Sequence, residues 1–258
     1  MCVNRKRIYD GEEMISKQDA QEFLQNMARI YYNARKSGSR GHDHRVIRGR
    51  ARCVATNFED EFAYLICRKA LWEKEKGLRV FSDFPITIMP ICNIGGMQKM
   101  KRCETRYIDI MICAKRPDLE YEILYMAELK TNTGWMRGQV SECLVKNRQF
   151  VEHLTCASTK VSVRKESLKE ARINECPERI RFQVSQCLCY DLVVLSSCNN
   201  SWGSLDDMKS GDKSTSSLIV LTDDPLGGQP KDYRPFPRHE DFKELDSRIR
   251  CCLGHKAK

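Results

Sequence analysis

The sequence predicts an α/β fold with a mixed central sheet flanked by helices. Three observations predict it. Segments 16–35 and 56–71 repeat apolar residues at helical spacing. Runs 79–89, 107–113, 122–130, 183–196 and 217–222 are apolar and of strand length. A further helical pattern, with Val140, Cys143, Leu144, Asn147, Val151 and Leu154 on one face, falls between two of these strands.

Length and composition set the outer bounds. A chain of 258 residues can bury a full core, so one domain over 1–258 is the default. No apolar run approaches a membrane span, and the basic N-terminus has no signal-peptide core, which predicts a cytoplasmic protein without membrane contact. The 14 cysteines form no C-x-x-C pair, and Cys67, Cys113, Cys187 and Cys189 lie in apolar runs. Buried free thiols in a reducing compartment fit that pattern better than a disulfide framework. Cys187-x-Cys189 on a strand and adjacent Cys251-Cys252 are poor geometry for structural zinc. The net charge of +9 favours a polyanionic partner.

Along the chain, Ser16 with Asp19 three residues on opens a helix through about Arg35, its apolar face made by Ala20, Phe23, Leu24, Met27 and Tyr31. Residues 35–52 hold seven Arg or Lys against one Asp, and glycines at 38, 41 and 49 predict a loop. Guanidinium groups pair well with phosphate oxygens, so Arg40, Arg45, Arg48 and Arg50 are candidate nucleic-acid contacts; a solvated linker is the alternative. The second helix is predicted over Thr56–Leu71, with Phe58, Phe62, Leu65 and Ile66 on one face and Thr56-x-x-Glu59 as a capping box.

The strand over 79–89 contains Pro85, which predicts a bend or an edge position. Residues 92–106 read as a Gly-Gly loop whose Lys99, Lys101 and Arg102 are further candidate contacts. Next come two strand-length runs, Tyr107–Cys113 and Glu122–Lys130, separated by Ala-Lys-Arg-Pro-Asp, which read as a β-hairpin. Acids sit inside these runs: Asp109 in the first, Glu128 with Lys130 in the second. A carboxylate among Ile, Met and Leu is costly to bury unless compensated, and a bound cation is one compensation. If Cys113 faces Glu122, then Asp109 lies opposite Met126 and shares a face with Glu128 and Lys130. The other face then receives Ile108, Ile110 and Ile112 against Ile123, Tyr125 and Ala127. A one-residue slip would send Asp109 to the opposite face.

Beyond the hairpin, residues 157–181 read as a solvated helix and Gln183–Ser196 as a strong strand. Ser217–Thr222 is a short buried strand, Pro225–Pro237 a Pro/Gly segment, and Arg238–Cys252 a closing helix. No internal repeat and no Walker-type loop is present.

Asp109 followed on the next strand by Glu128-Leu129-Lys130 resembles the core motif of the PD-(D/E)XK nuclease superfamily, which includes many restriction endonucleases. The literal Pro117-Asp118 is rejected as the acid, because about six strand residues at roughly 3.3 Å each place it some 20 Å from Glu128. Asp109 follows no proline, a departure from the literal motif. The resemblance covers about residues 56–200 and implies a restriction endonuclease-like αβββαβ core, with 1–55 as an N-terminal extension and 201–258 as a C-terminal strand and helix. It implies a metal-dependent endonuclease that hydrolyses DNA phosphodiester bonds, of restriction or other defence type.

Its implied site residues are Asp109, Glu128 and the Leu129 carbonyl on Mg2+ (with Mn2+ able to substitute), and Lys130 orienting the attacking water. Glu59, ahead of Phe62-Ala63, matches the superfamily's helix glutamate, with Glu61 as the alternative. Gln139 with Arg137 matches a glutamine found in one branch, and Trp135 is assigned to sealing the helix start. Double-stranded DNA is the implied partner, and cutting both strands would call for a homodimer. Two readings from other classes stand beside it: a non-catalytic nucleic-acid-binding protein with a nuclease-like fold, and a cysteine-rich metal or redox protein.

Overall fold

A computed structural model describes residues 14–36, 44–70, 77–94, 97–100, 104–117, 120–132, 139–155, 159–162, 181–197, 209, 215–226 and 233–254. Helix α1 spans Lys17–Lys36. Its start is the expected cap: Asp19 Oδ2 accepts the Ser16 N–H at 2.9 Å, and Ser16 Oγ accepts the Asp19 N–H at 3.2 Å. Helix α2 spans His44–Ala70, so it begins well before Thr56. The expected loop over 35–52 is therefore helical from His44 on, and Thr56-x-x-Glu59 is no cap. The segment H-R-V-I-R-G-R-A-R-C-V-A is dominated by residues compatible with a helix, and one interior glycine costs only about 1 kcal/mol.

The two helices pack through Phe23, Phe58 and Phe62, whose ring centroids lie 6.0–6.3 Å apart. Asp19 also ties them together, accepting from Arg68 and from Lys69 at 2.6 Å. Burial pushes the Asp19 carboxyl up, but its hydrogen bonds with Lys69 and Ser16 outweigh that and hold it down at about 2.

The sheet is mixed. Its five main strands lie side by side in the order β1 (Leu78–Ile94), β3 (Glu104–Lys115), β4 (Glu120–Asn132), β6 (Arg181–Ser196), β7 (Leu218–Thr222). The first three run antiparallel, whereas β4, β6 and β7 run parallel. Helix α3 (Gln139–Thr155) lies between β4 and β6 in the chain, as a parallel pair requires a long crossover. Helix α4 (His239–Gly254) closes the described chain.

Two short strands depart from the sequence reading. Strand β2 (Met97–Met100) pairs with Ile91–Ile94, so part of the expected Gly-Gly loop is a hairpin. Strand β5 (Thr159–Ser162) pairs with Thr87–Pro90, where a solvated helix was expected. Thr159 and Val161 are β-branched and meet an open strand edge, which outweighs the charged composition around them. Pro85 sits on β1 where its outer edge is free of these partners, consistent with an edge position.

Apolar residues fill both faces of the sheet. One layer joins Ile110, Ile112, Tyr125, Ala127 and Leu129 to α1, α2 and α4. The other joins Met111, Cys113, Ile123, Met126 and Tyr190 to Phe150, Val151 and Leu154 of α3. Among polar residues, Asp191 on β6 is fully buried and accepts from Arg248 Nε at 2.7 Å, Arg248 Nη2 at 2.6 Å and the Ser217 N–H at 2.8 Å. That arrangement fastens α4 to the sheet. Cys53, Cys67, Cys113, Cys143, Cys187, Cys189, Cys251 and Cys252 are free thiols.

Candidate active site

Strand register brings the acids together. The observed pairs are Ala114–Glu122 and Cys113–Ile123, then Ile112–Tyr125, Met111–Met126 and Ile110–Ala127. A bulge at Leu124 separates the two sets. The expected Cys113–Glu122 pairing is therefore wrong by one residue near the turn and by two beyond the bulge. A shift of two preserves the face, because side chains alternate with period two. Asp109 lies one step past the Ile110–Ala127 pair and so falls beside Glu128 instead of Met126.

The buried layer also differs from expectation. Ile108 and Ile123 belong to the α3 face, apart from Ile110, Ile112, Tyr125 and Ala127. Leu124's bulge explains Ile123. For Ile108, the alternation of β3 breaks at Asp109: Ile108 precedes the break on the α3 face, and Met111 and Cys113 follow it on the same face. Strand β1 breaks at the facing position, where Phe81 and then Phe84, Ile86 and Ile88 share that face around Asp83. Asp83 has φ of 47°, a left-handed conformation that only short polar residues and glycine adopt at low cost. The acid site thus sits where two neighbouring strands flip together.

The side chains meet as follows. Lys130 Nζ lies 2.5 Å from Glu128 Oε1 and 3.9 Å from Asp109 Oδ2, and donates to the Leu129 carbonyl at 3.1 Å. Asp109 Oδ2 also accepts the Leu129 N–H at 2.6 Å. Glu128 Oε2 accepts the Tyr190 hydroxyl at 3.0 Å. Side-chain exposures of 17% for Asp109, 23% for Glu128 and 39% for Lys130 leave the group half-buried and reachable.

Electrostatics show an excess of negative charge. Burial first and the Glu128 charge second push the Asp109 carboxyl up to about 7, against the pull of the Leu129 N–H and Lys130. Lys130 is raised: burial opposes its charge, but Glu128 and Asp109 more than compensate, so it remains an ammonium at neutral pH. Two carboxylates and one carbonyl form a hard-oxygen donor set, with negative charge beyond what Lys130 offsets that a divalent cation would relieve. Lys130 Nζ contacts both Glu128 Oε1 and the Leu129 carbonyl. Among the described residues no three His, Cys, Asp or Glu side chains gather closely enough to hold a metal by themselves.

Helix α2 contributes Glu59. Its carboxyl is raised, by burial first and then by Asp83, while Lys130 opposes and Glu128 adds, so it lies within the field of the site. Glu61 turns to α1 instead, its Oε2 accepting from Asn26 Nδ2 at 3.5 Å.

The basic candidates separate. Arg45, Arg48 and Arg50 belong to α2, and Lys99 to β2. At 100° per residue, the α2 backbone places Arg48 and Arg52 within about 20° of Glu59 and Arg45 within about 40°. Arg50 falls about 180° away, at the helical angle of Arg68, which bonds Asp19 of α1. Arg40, Lys101 and Arg102, with Trp135 and Arg137, lie outside the described residues, while Gln139 opens α3.

Sequence reading missed Tyr190 and Asp83. Tyr190 reads as one more apolar strand residue, and nothing local marks its hydroxyl as a partner of Glu128. Asp83 is an acid among Phe and Ile and its side chain is exposed; its left-handed φ leaves no mark in the sequence.

Among the described residues, no helix is long and apolar enough to cross a membrane. No protein-family model, no curated protein and no solved structure matches the chain.

Proposed function

We propose that this protein hydrolyses phosphodiester bonds of nucleic acid, with DNA as the first substrate and Mg2+ as the cofactor (Mn2+ substituting). The observation that carries the reading is the convergence of Asp109, Glu128 and Lys130 on one face of the β3–β4 pair. With the short strands β2 and β5 set aside, the order helix, three antiparallel strands, helix, parallel strand, from α2 to β6, supports a restriction endonuclease-like core.

Asp109, Glu128 and the Leu129 carbonyl would hold the ion. When bound, it supplies polarisation of the phosphate and a lower pKa for the attacking water. Lys130, which lies 2.5 Å from Glu128 Oε1, would turn its ammonium towards the phosphate when that oxygen is engaged by the ion. There its N–H groups orient the water and oppose the negative charge building on the phosphorane oxygens. With Glu128 and Asp109 beside it Lys130 is held protonated, and in that form its contribution is electrostatic. Glu59 on α2 would add a third carboxylate near the site, where burial and then Asp83 raise it and Lys130 opposes.

Incubation of purified protein with plasmid, linear duplex and single-stranded DNA, in Mg2+ and then in EDTA, tests the proposal. Cleavage in Mg2+ that EDTA abolishes is the expected result. Binding without cleavage under any divalent metal would transfer the protein to the non-catalytic nucleic-acid-binding class.

A further inference from the structure

Glu128 is held at both oxygens, by Lys130 at Oε1 and by Tyr190 at Oε2. The second contact has the marks of a built support. Tyr190 lies on β6 with no exposed surface, between the apolar positions Leu188 and Leu192. A phenylalanine there would bury the same ring without a hydroxyl to satisfy, and burying a hydroxyl is costly unless it is paired. Its pairing group is Glu128.

The ring is also prevented from moving. The Phe150 ring of α3 lies 6.0 Å away, and the Arg106 guanidinium stands 5.6 Å over the Tyr190 ring and 5.0 Å over Phe150. Arg106 in turn donates to Asn147 Oδ1 at 3.1 Å, which anchors it to α3. Asn147, Arg106, Tyr190 and Glu128 thus form a chain across α3, β3, β6 and β4. It ends on a carboxylate whose several free torsions would otherwise have to be ordered whenever a ligand binds.

Resting on the hydrolytic reading of this site, we propose that Tyr190 is a positioning residue that pins Glu128 for a divalent cation, with Arg106 bracing the tyrosine ring. The hydroxyl occupies Oε2 and thereby fixes the orientation of Oε1, the oxygen now taken by Lys130. Displacement of Lys130 by a cation then needs no rearrangement of the glutamate. Hydrogen-bond partners of metal-ligating groups are worth about 10–100-fold in metal affinity when removed.

The test compares wild type, Tyr190→Phe and Arg106→Ala, using the electron paramagnetic resonance signal of free Mn2+ to measure binding. Circular dichroism monitors the fold. Tyr190→Phe is expected to weaken Mn2+ binding about 10–100-fold and to raise the Mg2+ concentration for half-maximal cleavage in parallel. Its rate at saturating metal should stay within a few-fold of wild type. Arg106→Ala keeps the hydroxyl but frees the ring, and should weaken Mn2+ binding by a smaller factor in the same direction. Wild-type Mn2+ affinity in both variants overturns the assignment of Tyr190 while leaving the hydrolytic reading intact. Failure of the wild-type protein itself to bind Mn2+ overturns both.

Discussion

The Asp109 carboxylate accepts the backbone N–H of Leu129 at 2.6 Å, so the first acid of the site is fastened to the strand that bears the second. Strand pairing, and no flexible loop, therefore sets the spacing of the two carboxylates. It also holds two negative groups together in a half-buried place, with a consequence for stability.

Asp109 is raised to about 7 from 3.8, by burial and then by Glu128. The folded state therefore favours its neutral form. This contribution is fully present at low pH and is lost as pH rises from about 4 through 7. Asp109→Asn keeps an acceptor for Leu129 but removes the charge. In EDTA, urea unfolding should show the variant gaining on the order of 2–4 kcal/mol relative to wild type between pH 5 and pH 8. An unchanged difference across that range would mean that the two acids do not strain each other.

Asp83 tests the paired break in β1 and β3. A β-branched residue resists φ of 47°, whereas glycine accepts it. Asp83→Val should lose about 1–3 kcal/mol in thermal or denaturant unfolding, and Asp83→Gly should lie close to wild type. Equal stability of the two variants would contradict the left-handed conformation.

Arg248 and Asp191 offer a prediction remote from the cluster of acids. Arg248→Ala leaves a fully buried carboxylate without its guanidinium partner and should cost about 3–5 kcal/mol. Pairing Arg248→Met with Asp191→Leu should restore much of that loss, because neither charge then remains buried. A double variant as unstable as the single one would assign the tie a role beyond charge compensation.

Helix geometry separates the arginines of α2. If nucleic acid runs along the Glu59 side, Arg48→Ala should weaken binding and reduce its salt dependence by about one counterion, whatever the sequence bound. Arg50→Ala, on the opposite side of the helix, should leave both nearly unchanged. Fluorescence anisotropy over a salt series measures the two, and equal losses would argue for a diffuse charge effect.

Much of this architecture is legible in the chain. The Ser16–Asp19 cap, the α1 face and the strands over 107–113, 122–130, 183–196 and 217–222 follow from local pattern, where period and turn chemistry agree. The co-facing of Asp109, Glu128 and Lys130 follows too, although by a register two residues from the expected one. Parity protected that inference, since the bulge at Leu124 is invisible in a continuous apolar run. Arg-rich 44–52 misled because charge and a glycine suggested a loop, while helix propagation from the Phe58 face carried the segment. The Tyr190–Glu128 contact was out of reach, because it depends on how β6 registers against β4, 62 residues apart for this pair.

Glu128 bears most directly on the central claim, since it touches both Lys130 and Tyr190 and would hold the ion with Asp109. Cleavage of duplex DNA in Mg2+ by wild type and by Glu128→Ala, with binding measured on the same preparations, is the decisive comparison. The account predicts that the variant still binds DNA and no longer cuts it. Undiminished cutting by Glu128→Ala would contradict it.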